Sequence, residues 1–322
     1  MTSGNARYNG TRPGNLWAIT SYFNPVGYRT RRENFRHFRD RLGVKLIAVE
    51  LGYRDNFDLA AGDADILIQI DGGDVLWQKE RLINLALGKL PDDCTKVAWV
   101  DCDIIFDRPD WAAKVEAILD RVPLAQTFRH VRNLPPGTLP EAVAGMELPT
   151  RRSLIDAFNS GVPLEVCLNE LPSDGAIAYK MARGFAWAAR RALLDRHGLY
   201  DACIIGGGDR ALAYAIFGWF DAAVRHFHMS EIETRRFMAW AVPFAEAVGG
   251  AVDSIDADIF HLWHGDMRRR GSGSRQAGLR RFAFNPNDDI AVSENGAWRW
   301  NTDKPDMHAF MQSYFESRME DG

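Results

Sequence analysis

Apolar segments that suit buried strands alternate with amphipathic segments through the first hundred residues of this 322-residue chain. In the amphipathic segments, apolar positions recur at the spacing of a helix. Strands that alternate with helices in this way predict βαβ units, and therefore a doubly wound α/β fold with a mostly parallel sheet between helices. The predicted strands are 16–21, 44–50 and 65–70, and the predicted helices are 31–42 and 79–87.

A further apolar run, from Lys96 to Phe106, carries a pair of aspartates, Asp101 and Asp103. Side chains two apart on an extended chain share a face, so we expect both carboxylates to serve one divalent cation while Cys102 points away. Carboxylate oxygens suit Mg²⁺ or Mn²⁺, which often complete their shells with substrate phosphates. An ordinary solvated turn is the alternative explanation for so short a motif.

Polar residues also follow the other predicted strands. In open α/β sheets, ligands bind at the carboxyl ends of the strands, so we expect these side chains to contribute to one ligand site. The candidates at these strand ends are Thr20, Tyr22, Asn24, Glu50 and Asp71.

Three consecutive glycines, Gly206–Gly208, precede Asp209 and a predicted helix over 210–217. Glycine can adopt positive φ and lets the backbone approach a ligand closely. Asp209 is therefore a candidate functional carboxylate, with capping of the helix as its structural alternative.

Two histidines, His261 and His264, lie in an apolar run that ends at Gly265. Positions three apart on a strand face opposite ways, so both could bind one ion only if the backbone turns between them. We favour His261 as a metal ligand and keep His264 as a phosphate or metal contact, although a buried histidine is often only a hydrogen-bonded core residue. A mixed set of carboxylate and imidazole ligands suits Mn²⁺ better than Mg²⁺.

The segment Met267–Arg281 is rich in arginine, glycine and serine. Arginine binds phosphate oxygens in bidentate fashion, and the small residues predict a flexible loop, so we expect Arg268 to reach the phosphates of a bound nucleotide. The loop could equally grip an anionic acceptor, or be a solvated surface segment.

Three motifs in this order resemble the nucleotide-sugar glycosyltransferases of the GT-A fold: the strand with Asp101 and Asp103, the segment 184–209, and the segment 260–265. The resemblance implies a metal-dependent, inverting transferase that uses a UDP-sugar, with Mn²⁺ or Mg²⁺ held by the two aspartates and a late histidine. It implies Asp209 as the general base and Lys79 as a donor-binding residue. Related inverting galactosyltransferases carry an acidic residue where this chain has Gly208, so their mode of acceptor recognition does not transfer.

The resemblance also suggests an organisation and an acceptor. Residues 1–128 would form the donor-binding half and 129–322 the acceptor half of one continuous domain. The segment His261–Gly265 and the stretch 284–290 resemble a phage and bacterial branch, some members of which glycosylate hydroxymethylated pyrimidines in DNA. A cytoplasmic transferase acting on a surface-glycan precursor and a non-catalytic nucleotide-sugar-binding protein are the alternatives. A nucleotidyltransferase would not explain the glycine segment before Asp209.

Composition narrows the class of protein. With 46% hydrophobic and 25% charged residues, the chain has the composition of an ordinary globular protein. Its net charge of −4 does not indicate nucleic-acid binding over its whole surface. The polar stretch 1–14 lacks the apolar segment of a signal peptide, so we expect a cytoplasmic protein without a membrane span. Its four cysteines are scattered and are expected to be reduced. Further predicted elements are helices at 151–159, 231–248 and 307–319 and a two-residue hairpin turn at Asn295–Gly296.

Overall fold

The computed structural model describes residues 15–54, 56–168, 181–271 and 274–322. Strands and helices alternate through its first hundred residues, and the three predicted strands and two predicted helices before Lys96 have ends within two residues of the observed ones. These elements are β1 (Leu16–Phe23), α1 (Arg29–Leu42), β2 (Lys45–Leu51), β3 (Ile66–Ile70) and α2 (Lys79–Leu87), and β4 (Lys96–Val100) follows them.

Helix α1 illustrates how the sequence pattern produces this result. Its buried apolar residues Phe35, Phe38 and Leu42 recur at intervals of three and four, which places them on one face of the helix. The helix ends at Gly43, whose φ of 75° is the left-handed conformation in which glycine commonly terminates helices.

The extended backbone predicted through Asp101 and Asp103 is wrong. Strand β4 ends at Val100, and Ile104–Phe106 forms strand β5 in a different sheet. The residues 101–103 form the turn between the two sheets, so the rule that side chains two apart share a face does not apply to them.

The remaining chain adds short strands and most of the helices. The elements before the glycine segment are α3 (Trp111–Leu119), β6 (Leu124–Gln126), β7 (His130–Asn133), β8 (Thr150–Arg152), α4 (Leu154–Asn159), α5 (Leu164–Leu168), β9 (Ala186–Arg190) and α6 (Arg191–His197). Those that follow are α7 (Gly208–Ile216), α8 (Phe220–Phe227), α9 (Glu231–Val248), β10 (Val252–Ser254), β11 (Asp258–His261), α10 (Arg275–Arg280), β12 (Ile290–Val292), β13 (Trp298–Trp300) and α11 (Pro305–Ser317). Short 3₁₀ helices cover Pro140–Val143 and Met267–Arg270.

A seven-stranded sheet in the order β10-β6-β9-β4-β1-β2-β3 forms the centre of the protein. Only β9 runs antiparallel to its neighbours, β4 and β6. A second sheet has the order β5-β11-β7-β8, and β12 pairs with β13 in a hairpin. The mostly parallel α/β fold with a C-terminal hairpin and helix is thus confirmed.

Three predicted details differ from the structure. The helix predicted from Arg151 starts at Leu154, because Arg151 belongs to β8 and Ser153 caps the helix by accepting from the Asp156 backbone N–H. The basic segment is not a featureless loop, since it contains a 3₁₀ turn and α10, while Ser272 and Gly273 lie outside the described residues. The link between β12 and β13 spans residues 293–297 rather than the two predicted.

Both faces of the large sheet are buried. Alternate residues point to opposite sides, so Ile19 and Val97 join one apolar cluster while Ala18 and Ala98 join the other. The four cysteines are free thiols, as predicted. Within the described part of the chain, no helix combines the length and apolar character needed to cross a membrane.

Candidate functional site

The turn 101–103 lies at the carboxyl end of β4 and is fixed by its backbone. The Asp101 N–H donates to the Phe185 carbonyl at 2.7 Å, and the Asp103 carbonyl accepts from the Leu262 N–H at 2.8 Å. Cys102 packs against the apolar cluster that contains Tyr22, so it points into the protein. The two carboxylates therefore emerge at the rim of the sheet, where α/β folds bind ligands.

Asp103 lies next to two histidines, His261 and His264. His264 Nε2 is 2.8 Å from Asp103 Oδ2, His261 Nε2 is 3.9 Å from Asp103 Oδ1, and the two Nε2 atoms are 3.1 Å apart. Strand β11 ends at His261, and the chain then turns, which brings His264 to the same point. Ligand atoms of Asp103, His261 and His264 all lie within 4.8 Å of one another, and both rings are buried.

The protonation pattern of this triad fits a cation. Asn133 donates its amide N–H to the Pro149 carbonyl, so its Oδ1 is the atom that faces His261 Nδ1 at 3.0 Å. Nδ1 must therefore carry the hydrogen. Because burial lowers the pKa of His261 well below its ordinary value, the ring is neutral and its Nε2 presents a lone pair to Asp103. The buried Asp103 Oδ1 has no hydrogen-bond partner in the described chain. Ligand atoms that converge in this way, with Asp103 Oδ1 unshared, are what a divalent cation requires, while His264 Nε2 also contacts Arg270.

Two charged residues also contact the ring nitrogens of His264. Glu320, from the end of the chain, lies 3.5 Å from His264 Nδ1, and Arg270 Nη2 lies 2.6 Å from Nε2. Burial opposes ionisation of Glu320, but Arg31 and His264 outweigh it and hold its pKa well below the ordinary value. A carboxylate behind a ligating histidine is a common way to orient the ring.

A second cluster joins Asp101 to Asp209 through Lys79, the first residue of α2. The Lys79 ammonium lies 2.6 Å from Asp101 Oδ1 and donates to Asp209 Oδ1 and Oδ2 at 3.1 and 2.9 Å. Burial disfavours the ammonium, yet Asp101 and Asp209 together raise the pKa of Lys79 well above its ordinary value. Asp101, predicted as a metal ligand, thus contacts an ammonium and is not one of the three grouped ligands. The Asp209 side chain keeps 27% of its surface exposed.

Glycines let Asp209 occupy this position. The helix cap is Gly207 rather than Asp209, and Gly207 has a φ of 112° that favours glycine. A Cβ atom on Gly184 would lie 2.6 Å from Asp209 Oδ2, and a Cβ on Gly208 would overlap the Glu80 carboxyl. Glu80 is only 5% exposed, and burial, reinforced by Asp209, raises its pKa to about 8 although Lys79 opposes this.

Three of the predicted strand-end residues line one cavity of about 200 Å³ at the ends of β1 and β2: Tyr22, Asn24 and Glu50. Asp58 is its central acceptor, since the Tyr22 hydroxyl and the Asn24 amide donate to Asp58 Oδ2 at 2.7 and 2.9 Å. Glu50 accepts from the Asp58 and Leu59 backbone N–H groups and holds that loop in place.

The structure places the other predicted residues elsewhere. Thr20 is buried and donates to the Val100 carbonyl, which ties β1 to β4. Asp71 caps the Gly72 N–H and is exposed. The Arg268 side chain is 86% exposed and pairs with Asp266, whereas Arg270 in the same segment reaches the triad.

Sequence reasoning missed several residues of the site. Asp58 and Glu80 follow no strand end and belong to no motif, and Asn133 lies in a strand with no apolar run. Glu320 is the third residue from the end of the chain and reaches His264 only through tertiary packing. For Glu80, the adjacent Lys79 and the missing side chain at Gly208 are the only sequence signals.

No protein-family model and no curated protein sequence matches this chain. Among solved structures, glucosyl-3-phosphoglycerate synthase from Mycobacterium tuberculosis superposes with a TM-score of 0.39 at 13% identity, over 86% of this chain and 81% of that one. TarS 1–349 of S. aureus gives 0.38 at 10%, over 94% and 81%. The catalytic domain of Drosophila β1,4-galactosyltransferase 7 gives 0.36 at 10%, over 92% and 98%. These TM-scores lie below 0.5, so any function has to be argued from the site itself.

Proposed function

We propose that this chain is a metal-dependent, inverting glycosyltransferase that moves a sugar from a nucleotide sugar, a UDP-sugar, to an acceptor hydroxyl. One observation carries the proposal. A triad suited to a cation and a lysine-held carboxylate meet at the two ends of the turn 101–103, at the carboxyl edge of a mostly parallel sheet. A cavity of nucleoside size opens at the neighbouring strand ends.

The donor nucleoside would occupy the cavity lined by Tyr22, Asn24 and Asp58. The Asp58 carboxylate would accept the N–H of a pyrimidine ring. Both amide N–H groups of Asn24 donate within the protein, to the Tyr28 carbonyl and to Asp58 Oδ2, so Asn24 would orient Asp58 rather than pair with the base. Glu50 keeps the Asp58 loop in this position through its backbone hydrogen bonds.

The cation would be held by Asp103, His261 and His264, and the mixed ligand set favours Mn²⁺ over Mg²⁺. When bound, such a cation supplies positive charge to the oxygens of a nucleotide diphosphate. Arg270 lies beside this position and can donate to the same phosphate oxygens. We therefore assign the phosphate contact to Arg270 instead of Arg268, whose side chain is exposed.

Asp209 would act as the general base. Lys79 donates to both of its oxygens and so fixes the carboxylate. Gly184 lets Oδ2 pack against its backbone, and the 27% of the Asp209 side chain that stays exposed is where an acceptor hydroxyl would approach. Positioned proton abstraction is typically worth about 10² to 10⁴ in rate. Attack from this side, opposite the departing diphosphate, gives inversion at the anomeric carbon. We assign Asp101 to orienting Lys79.

For the acceptor, we keep the hypothesis of a 5-hydroxymethylpyrimidine in DNA, which rests on the sequence resemblance and on the basic segment 267–281. In this proposal, residues 1–128 bind the donor nucleoside, and residues 129–322 bind the acceptor and supply His261, His264 and Arg270 to the donor diphosphate. A transferase acting on a glycan precursor is the alternative. If the protein shows no turnover on hydroxymethylated DNA with any of the common UDP-sugars, the DNA acceptor is excluded, and the proposal for the donor site is unaffected.

The base assignment is tested with Asp209→Asn, which keeps the size of the side chain. We expect it to bind UDP with Mn²⁺ as the wild type does and to lose at least about 10²-fold in transfer rate. The matched control is Asp201→Asn, because Asp201 is also an ion-paired aspartate, bound to Arg81, but lies outside the site. Wild-type transfer by Asp209→Asn would remove the base from the proposal.

A further inference from the structure

Arg151, on strand β8, is a cation that has no counter-charge among the described residues. Its Nε and Nη2 atoms are inaccessible to solvent and have no hydrogen-bond partner in the described chain. Burial lowers the pKa of Arg151 to about 10, and no carboxylate among the described residues acts against this. Its neighbour Arg152 is different, since it pairs with Asp156 and Ser160. Buried guanidinium groups are normally paired, so Arg151 has capacity for an anion.

The register of the second sheet places Arg151 on the same face as the metal triad. Arg151 lies opposite Val131 on β7, and Val131 lies opposite Ile259 on β11. His261 follows Ile259 by two residues, so its side chain emerges on the same face. The ring of Phe185 lies between them, with its centroid 5.2 Å from the Arg151 guanidinium and 5.0 Å from the His261 ring.

Phe185 also connects Arg151 to Asp209 along the chain. Phe185 follows Gly184, and Gly184 is the residue whose missing Cβ leaves room beside Asp209 Oδ2. Phe185 adopts a positive φ of 77°, which is uncommon for a bulky residue. Arg151 therefore contacts the ring of Phe185 on the same face of the sheet as the triad, and Phe185 follows the glycine that packs against Asp209.

Neighbouring acids do not serve Arg151. Asp258 is the buried carboxylate on this sheet, and it is shared by Arg129, His130 and Arg132. The donor nucleoside cavity lies at β1 and β2, in the other sheet, and Arg270 already flanks the position of the donor phosphates. Arg151 is therefore better placed to bind a second anion, separate from the donor, than to pair with Asp258 or to bind the donor.

We propose that Arg151 binds an oxyanion, a phosphate or a carboxylate, that is carried by the acceptor substrate. This inference rests on the proposed function, because it uses Asp209 to define the acceptor side. A guanidinium can donate two parallel hydrogen bonds to either kind of oxyanion, so phosphate and carboxylate are bound by the same chemistry. The acceptor would then be an acidic molecule whose hydroxyl lies between its anionic group and Asp209. A DNA phosphodiester and a small hydroxy acid or phosphate ester both meet this description.

The test titrates three probes into the protein by calorimetry at saturating UDP and Mn²⁺, so that the donor phosphate position is filled. The probes are inorganic phosphate, glycerate and a duplex containing hydroxymethylcytosine, and the one that binds tightest identifies the source of the oxyanion. Arg151→Met removes the charge and keeps the length of the side chain. We expect it to weaken the tightest probe by about 10- to 100-fold, as loss of charge-assisted hydrogen bonds does. Arg152→Met, on the adjacent position of the strand, is the control and should change the affinity less than about twofold.

UDP affinity separates the two proposals. We expect Arg151→Met to bind UDP with Mn²⁺ like the wild type, which also shows that the variant is folded, and Arg151→Lys to recover part of the probe affinity. Binding of UDP with no binding of any probe, or equal probe affinity in the wild type and Arg151→Met, would overturn the inference and leave the donor site intact. If the wild type does not bind UDP, the proposed function fails, and the inference fails with it.

Discussion

Glu80 gives a quantitative prediction about stability. Its carboxyl is buried against Gly208, 5% exposed, and it neighbours Asp209. Burial raises its pKa from 4.5 to about 8, with Asp209 adding to the effect and Lys79 opposing it. In the unfolded chain the carboxyl ionises near its ordinary value, so the folded and unfolded states bind protons differently between these two pH values.

The direction follows from the raised pKa. Because the folded state holds the proton more tightly, the stabilisation that this group contributes is fully present below pH 4.5 and is lost as the pH rises towards about 8. At about 1.36 kcal/mol for each tenfold change in proton affinity, the loss is at most about 5 kcal/mol. Glu80→Gln keeps the shape of the side chain and cannot ionise, so it should remove this pH dependence.

The assay is urea unfolding of the wild type and Glu80→Gln at pH 5, 7 and 9. We expect the free energy of unfolding of Glu80→Gln, relative to the wild type, to rise by a few kcal/mol between pH 5 and pH 9. Glu231→Gln is the control, because Glu231 is exposed and should show no such change. A difference between Glu80→Gln and the wild type that is the same at all three pH values would refute the account of Glu80.

Three further predictions concern the glycines, the triad and the nucleoside cavity. Gly208→Ala should destabilise the protein by about 1–3 kcal/mol in urea unfolding, because its Cβ overlaps the Glu80 carboxyl, and Glu80→Ala should suppress part of that loss. Asn133→Ala should weaken Mn²⁺ binding in calorimetry by about 10- to 100-fold through the orientation of His261, whereas Asn133→Asp, which still accepts from Nδ1, should restore it. Tyr22→Phe should weaken UDP binding by up to about tenfold, since the hydroxyl that orients Asp58 is lost. In each of the three cases, a variant whose measured stability or affinity equals that of the wild type would contradict the assigned role.

Local pattern was enough to predict the fold because the strands and helices of the first hundred residues are regular. Residues Phe35, Phe38 and Leu42 show helical spacing, and β1, β2 and β4 are almost wholly apolar, as strands buried on both faces are. The break at Asp101 was not predictable from this pattern, since Ile104–Phe106 is as apolar as β4 but pairs with β11, more than 150 residues later.

The candidate site was predicted in part. Asp103, His261, His264 and Asp209 belong to motifs that the sequence singles out, and the structure brings them to one edge of the sheet. Their contacts could not be predicted. Asn133, Glu320 and Lys79, of which only Lys79 was a predicted site residue, reach them across 128, 56 and 130 residues of chain, and sequence spacing carries no information over such separations. That both histidines face Asp103 depends on a turn after β11 that the apolar run gives no sign of.

The most direct test of the central claim is the thermal stability of the wild type and Asp103→Asn with UDP and Mn²⁺, alone and together. A ligand that binds the native state at about 100 times its Kd stabilises it by about 2.7 kcal/mol, which raises the Tm of a chain of this size by a few degrees. We predict that UDP raises the Tm of the wild type only when Mn²⁺ is present. In Asp103→Asn, we predict that UDP does not raise the Tm even when Mn²⁺ is present. A shift with UDP that is the same with and without Mn²⁺, or no shift with any nucleotide, would contradict the account.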